Sequence, residues 1–323
     1  MPLLEENHIL GFDEIEVSQK DAKCQLAEKW LEKTATDSEL QVNEDDTQIH
    51  IKGREFAYTI DRRTALFTEM KFAGREYLNH PMELNIWRAP TDNDMYIKAE
   101  WKKAHYDKAY TRAYTTEVVQ GKHGVKIVSH ASVVAETVQK ILDVTITWKI
   151  DASGKIDADI EATKDGEFPD LPRFGVRMFL DKKLSDARYF GMGPQESYRD
   201  KHQAASHGLY RANVRDLHED YIRPQENGSH YDCGYVELNN SRYGIVASAE
   251  KAFSFNASYY TQEELEKKTH NYELAESDSV VLCVDYALNG IGSNSCGPVV
   301  LDQYRFNDVL FRFRFTLIPY VKG

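Results

Sequence analysis

Apolar and polar residues alternate with a period of two along much of this chain, which is the pattern of β-strands that bury one face. Near the C-terminus, for example, Phe311, Phe313 and Phe315 fall on one face, while Arg312 and Arg314 fall on the other. The alternation predicts strands within residues 49–51, 56–60, 125–128, 142–150, 156–160, 280–288 and 309–315.

Helical patterns are few. Thr261 and Glu264 form the capping-box spacing and predict a short helix through about Lys268, and charged stretches at 21–33 and 97–110 are further helix candidates. A TIM barrel needs eight strand–helix repeats, which this pattern lacks. The sequence therefore predicts an all-β fold of antiparallel strands in two layers.

The N-terminal part differs from the rest of the chain in its pattern of apolar and polar residues. Residues 8–17 predict one isolated strand, followed by a polar connector rich in Lys and Glu, so we divide the chain into an arm at 1–40 and a body at 41–323. A lone strand cannot bury its apolar face by itself. From the residues alone, it either folds back on the body or pairs with a sheet of another chain.

The amino-acid composition of the chain argues against several classes of function. The 323 residues include 52 Asp plus Glu against 40 Lys plus Arg, a net charge of −12, which argues against binding nucleic acid or anionic lipid. The four cysteines form no CxxC pair, so a structural zinc site is not expected. The N-terminus carries acidic residues where a signal peptide is basic, and no apolar run approaches about 18 residues. We expect a cytoplasmic protein.

Two loops carry residues of chemical interest. Asp92, Asn93 and Asp94 resemble the start of a calcium loop, but Lys103 stands at the closing position, so we expect these side chains to cap a turn. Glu196 lies beside two glycines and could act as an acid or base with His202 or His207. In a β-protein such a Glu more often accepts backbone N–H bonds and pins its loop, and we favour that reading.

Four motifs together resemble one family. They are WRAPTDND at 87–94, GMGPQESYRD at 191–200, PQENG at 224–228 and FSFN at 253–256. All four are similar, in the same order, to segments in the C-terminal domain of large β-galactosidases. The extent of the chain resembles that of the small subunit of the heterodimeric bacterial members.

The resemblance implies a β-supersandwich of the galactose-mutarotase type for the body. It implies that the arm strand completes an immunoglobulin-like domain of the large subunit, through Ile9, Phe12 and Ile15. Retaining enzymes of this kind use two glutamates about 5 Å apart on a TIM barrel, which would lie on the large subunit. This chain would then be a non-catalytic subunit needed to hydrolyse β-D-galactosides such as lactose. It would hold no cofactor or metal, any Mg²⁺ or Na⁺ belonging to the large subunit.

The resemblance also implies that two loops form the rim of the shared active site, with Asp94, Tyr96, Asn294 and Cys296 as substrate-binding residues. A Trp that stacks on the sugar in single-chain relatives corresponds to Cys296, and Tyr96 could supply that aromatic ring instead. Two alternatives stay open. One is a free-standing sugar epimerase that uses Glu196 and His202, and the other is a carbohydrate-binding sandwich without catalysis.

Overall fold

The structure, a computed structural model, describes residues 11–15, 40–292 and 294–322. Ile9 and the helix candidate at 21–33 lie outside the described residues. Within them the chain forms two short α-helices, α1 (Ile97–Lys103) and α2 (Gln262–Lys267). The strands are β1 (Gln41–Glu44), β2 (Gln48–Lys52), β3 (Phe56–Asp61), β4 (Leu66–Phe72), β5 (Arg75–Glu76), β6 (Leu78–Asn85), β7 (Tyr110–Gly121), β8 (Gly124–Val134), β9 (Leu142–Asp151), β10 (Ile156–Lys164), β11 (Arg173–Asp181), β12 (Asp186–Gly193), β13 (Ser206–Asn213), β14 (Ser229–Asn239), β15 (Tyr243–Ser258), β16 (Ser279–Leu288) and β17 (Leu310–Val321).

The strands form two sheets in which neighbouring strands run antiparallel. The smaller sheet is the meander β1-β2-β3-β4-β5. The larger one has twelve strands in the order β13-β12-β14-β15-β17-β10-β9-β8-β7, and β16, β11 and β6 branch from β15. The predicted all-β, antiparallel fold is confirmed, and each predicted strand of the body lies within an observed one, except that β17 begins at Leu310, one residue after the predicted start.

Apolar faces of both sheets meet in one main core. Trp148 on β9 is fully buried, and its ring packs edge-on against Phe67 of β4 and Phe315 of β17. Its indole N–H donates to the carbonyl oxygen of Ala65 at 2.8 Å. On the outer face of β17, Arg312 pairs with Asp159 of β10, as expected for the polar side of such a strand.

The helix predictions are right in one place and too long in another. Thr261 caps α2 by accepting the N–H of Glu264 at 3.1 Å, as the capping-box spacing predicted. In the stretch 97–110, by contrast, α1 ends at Lys103. His105 adopts a left-handed conformation with φ of 58°, which terminates the helix, and β7 begins at Tyr110.

The strand predicted at 8–17 would pair with another chain and stays a prediction, since only residues 11–15 of it are described. Residues 11–15 have no regular secondary structure and lie beside β13, where they are held by a side chain instead of a backbone ladder. The Glu14 carboxylate accepts the backbone N–H of His207 at 2.9 Å and lies 2.5 Å from its Nδ1. Phe12 and Ile15 are 55% and 80% exposed. Whether these two side chains bind a partner stays a prediction.

Candidate functional site

Four loops meet at one end of the large sheet, and three of them carry sequence motifs, whereas the fourth motif, FSFN, lies within β15. The four loops follow β6 (86–96), follow β12 (194–200), precede β14 (223–228) and follow β16 (289–297); we call them together the loop cluster. Backbone and side-chain bonds join the first to the third. Glu226 donates its N–H to the carbonyl of Ala89 at 3.0 Å, and Gln225 Oε1 accepts the N–H of Asp92 at 2.9 Å.

A buried ion pair lies beneath the 86–96 loop. The Arg88 guanidinium is fully buried and holds the Asp94 carboxylate by two bonds, of 3.1 Å from Nε and 2.7 Å from Nη2. Its remaining N–H groups donate to the carbonyls of Asn289 at 2.6 Å and Gly290 at 3.1 Å. Burial alone would lower the pKa of Arg88, but the facing Asp94 raises it above its ordinary value, so the side chain stays charged. Arg88 thereby ties two loops together.

The 289–297 loop is fixed from a second side. The Asp200 carboxylate accepts the N–H of Ile291 at 3.0 Å and that of Gly292 at 2.7 Å. Gly292 has a φ of 63°, a conformation that favours glycine. The Asn93 amide donates to the carbonyl of Gly292, and the hydroxyl of Ser295 donates to Asn93 Oδ1 at 2.9 Å. The 86–96 and 289–297 loops therefore touch directly.

A second buried charge group joins the loop cluster to the sheet. Arg173 on β11 contacts Asp285 on β16 at 3.1 Å and 2.6 Å, and Glu226 at 3.2 Å. Burial would lower the pKa of Arg173, but Asp285 and Glu226 raise it well above its ordinary value. This group was not predicted from the sequence, although Arg173 and Asp285 each stand as a charged residue inside an apolar stretch.

The predicted rim residues divide into exposed and buried ones. Tyr96, immediately before α1, is 60% exposed; Asn294 is half-exposed and Cys296 is an exposed free thiol. Asp94, in contrast, is only 3% exposed and bound to Arg88. The buried ring of Trp101 on α1 lies 5.3 Å from the Arg88 guanidinium carbon and supports the segment from behind. The structure thus brings the two predicted loops together but leaves Asp94 covered.

Glu196 and His202 are already engaged in bonds within the chain. The Glu196 side chain is 6% exposed and accepts bonds from Lys201 Nζ at 2.5 Å, from Gly228 N at 2.8 Å and from the Tyr221 hydroxyl. His202 Nδ1 lies 3.0 Å from the carbonyl oxygen of Tyr198. This geometry agrees with the loop-pinning role of Glu196 and does not favour the epimerase alternative.

Among the described residues, no group of three His, Cys, Asp or Glu side chains is placed to hold a metal ion. Asp92, Asn93 and Asp94 form one turn of 3₁₀ helix, and Asp94 caps it by accepting the N–H of Thr91 at 2.9 Å, whereas Asn93 bonds to the 289–297 loop. Within the residues that the structure describes, neither α1 nor α2 is long and apolar enough to cross a membrane.

Comparison with known proteins points to one family. The family described as "Beta galactosidase small chain" matches residues 52–317. The chain is 44% identical to a β-galactosidase of Actinobacillus pleuropneumoniae, over 98% of this chain and 30% of that protein. It is 32% identical to a β-galactosidase of Staphylococcus xylosus, over 97% of this chain and 31% of that protein. The chain therefore spans about 30% of the length of these curated relatives.

Among solved structures, the fold is similar to a galactose 1-epimerase from Lactobacillus acidophilus. The TM-score is 0.45 at 9% identity, over 90% of this chain and all of that one. A mutarotase-like protein from Salmonella typhimurium gives a TM-score of 0.42 at 8% identity, over 92% of this chain and all of that one.

Proposed function

The chain belongs to the β-galactosidase small-chain family, and from that premise we propose that it is the small, non-catalytic subunit of a heterodimeric β-galactosidase. The substrates would be terminal β-D-galactosides such as lactose, and the compartment the cytoplasm. The curated relatives are about three times as long as this chain, which supports a large partner subunit that carries the rest of the enzyme.

One observation carries the proposal: the loop cluster is rigidly built, yet its carboxylates are committed to bonds within the chain. Asp94 pairs with Arg88, Glu226 with Arg173, and Asp200 holds two loop amides. A retaining glycosidase needs one carboxylate free to attack the sugar and a second, protonated one about 5 Å away. The cluster is suited to shaping a cleft and not to the chemistry itself.

In the assembled enzyme, a glutamate of the large subunit would attack the anomeric carbon while a second, protonated glutamate donates its proton to the leaving oxygen. Water would then release the galactose. We assign Tyr96 to the rim, where its exposed ring can lie against the sugar. Asn294 and Cys296 would line the same rim from the neighbouring loop. Asp94 would act as a positioning residue, because it holds the segment that carries Tyr96.

Reconstitution tests this role. The chain is expressed with a β-galactosidase large chain of the same organism, and lactose hydrolysis is measured for each chain alone and for the complex. We expect activity only in the complex. Full activity of the large chain alone, or an inactive but stable complex, would refute the proposal.

The rim assignment is tested in the same complex. Tyr96→Ala should raise KM for lactose by about tenfold, the loss expected for an aromatic contact worth about 1.4 kcal/mol. Tyr114→Ala is the matched control, since Tyr114 is 57% exposed on β7 and lies outside the loop cluster. Equal KM values for the two variants would remove Tyr96 from the rim.

The arm is proposed to bind the large subunit through its apolar side chains. Replacing Ile9 and Phe12 together with Asp should block assembly, because both charges would need to be buried. Val119→Asp on β7 serves as the control, since Val119 is also substantially exposed, at 47%. Normal co-elution of the double variant with the large subunit on a sizing column would contradict the assignment.

A further inference from the structure

The described part of the arm contacts the body at His207 on β13. Among the described strands, β13 pairs only with β12, so it forms an edge of the large sheet. Glu14 of the arm accepts the backbone N–H of His207 and also lies 2.5 Å from the Nδ1 atom of its ring. The other ring nitrogen, Nε2, lies 2.6 Å from the Asp232 carboxylate on β14. The imidazole of His207 therefore bridges two carboxylates.

The number of protons on the imidazole decides whether this bridge is complete. An ionised carboxylate can only accept hydrogen bonds. A neutral imidazole carries a single N–H, so it can donate to Glu14 or to Asp232 while its other nitrogen turns a lone pair toward the second carboxylate. The imidazolium form has an N–H on both nitrogens and donates to both carboxylates at once. The geometry therefore fits a protonated His207, with one positive charge between two negative ones.

The bridge is partly shielded from solvent. The side chains of His207, Glu14 and Asp232 are 25%, 42% and 29% exposed. The ring of His207 also stacks on Phe190 of β12, with ring centres 6.4 Å apart and planes inclined by 29°. Because partly buried charges are screened less than fully exposed ones, the charge on His207 matters for the position of Glu14.

The surrounding charged side chains come from β12, β13 and the wall of a neighbouring pocket. Arg211 lies four residues beyond His207 on β13 and faces Arg188 of β12 across the ladder. Arg199 and Lys251 line one pocket together with Asp232. Arginine and lysine side chains ordinarily keep their charge up to about pH 8, whereas histidine ordinarily changes its charge between about pH 5 and 8. A change of pH within this range therefore acts on the bridge through the histidine.

Glu14 sets the acid limit of the bridge. The backbone N–H of His207 lowers the pKa of Glu14, helped by the ring of His207 and opposed by burial and by Asp232. Because this pKa is depressed in the folded state, the contact with Glu14 contributes above the ordinary pKa of glutamate and is lost as the pH falls through the lowered value. The bridge is therefore complete within a pH window that Glu14 bounds on the acid side and His207 on the alkaline side.

We propose that protonated His207 is a latch that holds the arm on the edge of β13, and that loss of its proton releases the arm. The latched residues 11–15 have no regular secondary structure, while Phe12 and Ile15 face solvent. A strand that pairs with another chain needs an extended arm, so release would come before pairing. This last step rests on the proposed subunit role, in which release favours assembly with the large subunit.

Nitrogen-15 NMR of the full chain tests the latch without the large subunit. The ring ¹⁵N shifts of His207 should show two N–H groups at pH 6 and one at pH 8. The backbone order parameters of residues 12–15 should fall from about 0.85 at pH 6 to below about 0.6 at pH 8. Glu14→Gln should give the low values at both pH values, because the neutral amide does not attract the imidazolium. His207→Gln should likewise remove the pH dependence.

His80→Gln is the matched control. His80 lies on β6, outside the part of the sheet that holds β13, and its Nε2 lies 2.9 Å and 3.0 Å from the two carboxylate oxygens of Asp278. This variant removes a histidine–carboxylate contact elsewhere and should keep the pH dependence of the arm. Order parameters of the unaltered chain that are equal at the two pH values, or a neutral His207 at pH 6, would overturn the latch. So would a pH dependence of the arm that persists in His207→Gln.

Mixing with the large subunit tests the assembly step separately. At pH 6, Glu14→Gln should assemble as fast as the unaltered chain does at pH 8, and equal rates of the two chains at pH 6 would refute this step. If no complex forms with either chain, the proposed subunit role fails, while the NMR result on the isolated chain still decides the latch.

Discussion

The buried pair of Arg88 and Asp94 should dominate the stability of the loop cluster, and Asp94→Asn measures it. The substitution keeps the shape of the side chain but removes the negative charge that faces a fully buried guanidinium. Breaking one partner of a buried ion pair costs about 3–5 kcal/mol, because the other charge is left uncompensated. That loss is a large part of the roughly 5–15 kcal/mol that stabilises a typical folded protein.

The chain contains a matched pair on its surface. Arg312 and Asp159 also form two short bonds, of 2.6 Å and 2.5 Å, but their side chains are 46% and 23% exposed. An exposed pair of this kind contributes only about 0–1 kcal/mol, since water and salt screen both charges. Asp159→Asn therefore makes the same chemical change with a different degree of burial.

Urea denaturation at pH 7 compares the two variants. We expect Asp94→Asn to lower the unfolding midpoint by more than about 1 M, and Asp159→Asn by a few tenths of that, with similar slopes in both. Added salt should reduce the effect of Asp159→Asn more than that of Asp94→Asn. Equal midpoints for the two variants would refute the idea that Arg88 and Asp94 form the anchor of the loop cluster.

Two further predictions concern a buried histidine and an exposed cysteine. Burial lowers the pKa of His230 to about 4, so as pH falls the unfolded chain takes up a proton at this histidine before the folded chain does. The free energy of unfolding should therefore fall by about 3 kcal/mol as the pH drops from 6.5 to 4. His230→Gln should make this dependence on pH weaker, as measured by denaturation curves at several pH values. A maleimide should label exposed Cys296 but not Cys283, whose pKa burial raises to about 12, and a peptide map that shows the reverse would contradict the structure.

Strands with one buried face could be predicted from the sequence, whereas β11, which is buried on both faces, could not; β16 is also buried on both faces but was predicted. β9 and β17 alternate because one face packs in the core and the other meets solvent or surface ion pairs. β11 is buried over eight of its nine residues and contains Arg173 and Arg177, so its pattern gives no period of two. The carboxylates that pair with Arg173 and Arg177 lie 53 to 112 residues away in sequence.

The sequence predicted which loops form the candidate site but not how their side chains are arranged. The two rim loops were identified, and the structure brings them into contact through Asn93 and the 289–297 loop. The burial of Asp94 was not foreseen, because its side chain turns back toward Arg88, and spacing alone does not show which way a turn residue points.

The ion pairs under the loop cluster are better explained by geometry than by stability. Apolar residues of similar volume often stabilise a core as well as a buried ion pair does. An apolar residue in place of Arg88, however, would leave the carbonyls of Asn289 and Gly290 without their donors. The planar guanidinium fixes Asp94 on one side and these two carbonyls on the other, so it sets the distance between the loops that carry Tyr96 and Cys296. A chain that supplies only the edge of a shared cleft needs that distance more than it needs a further increment of stability.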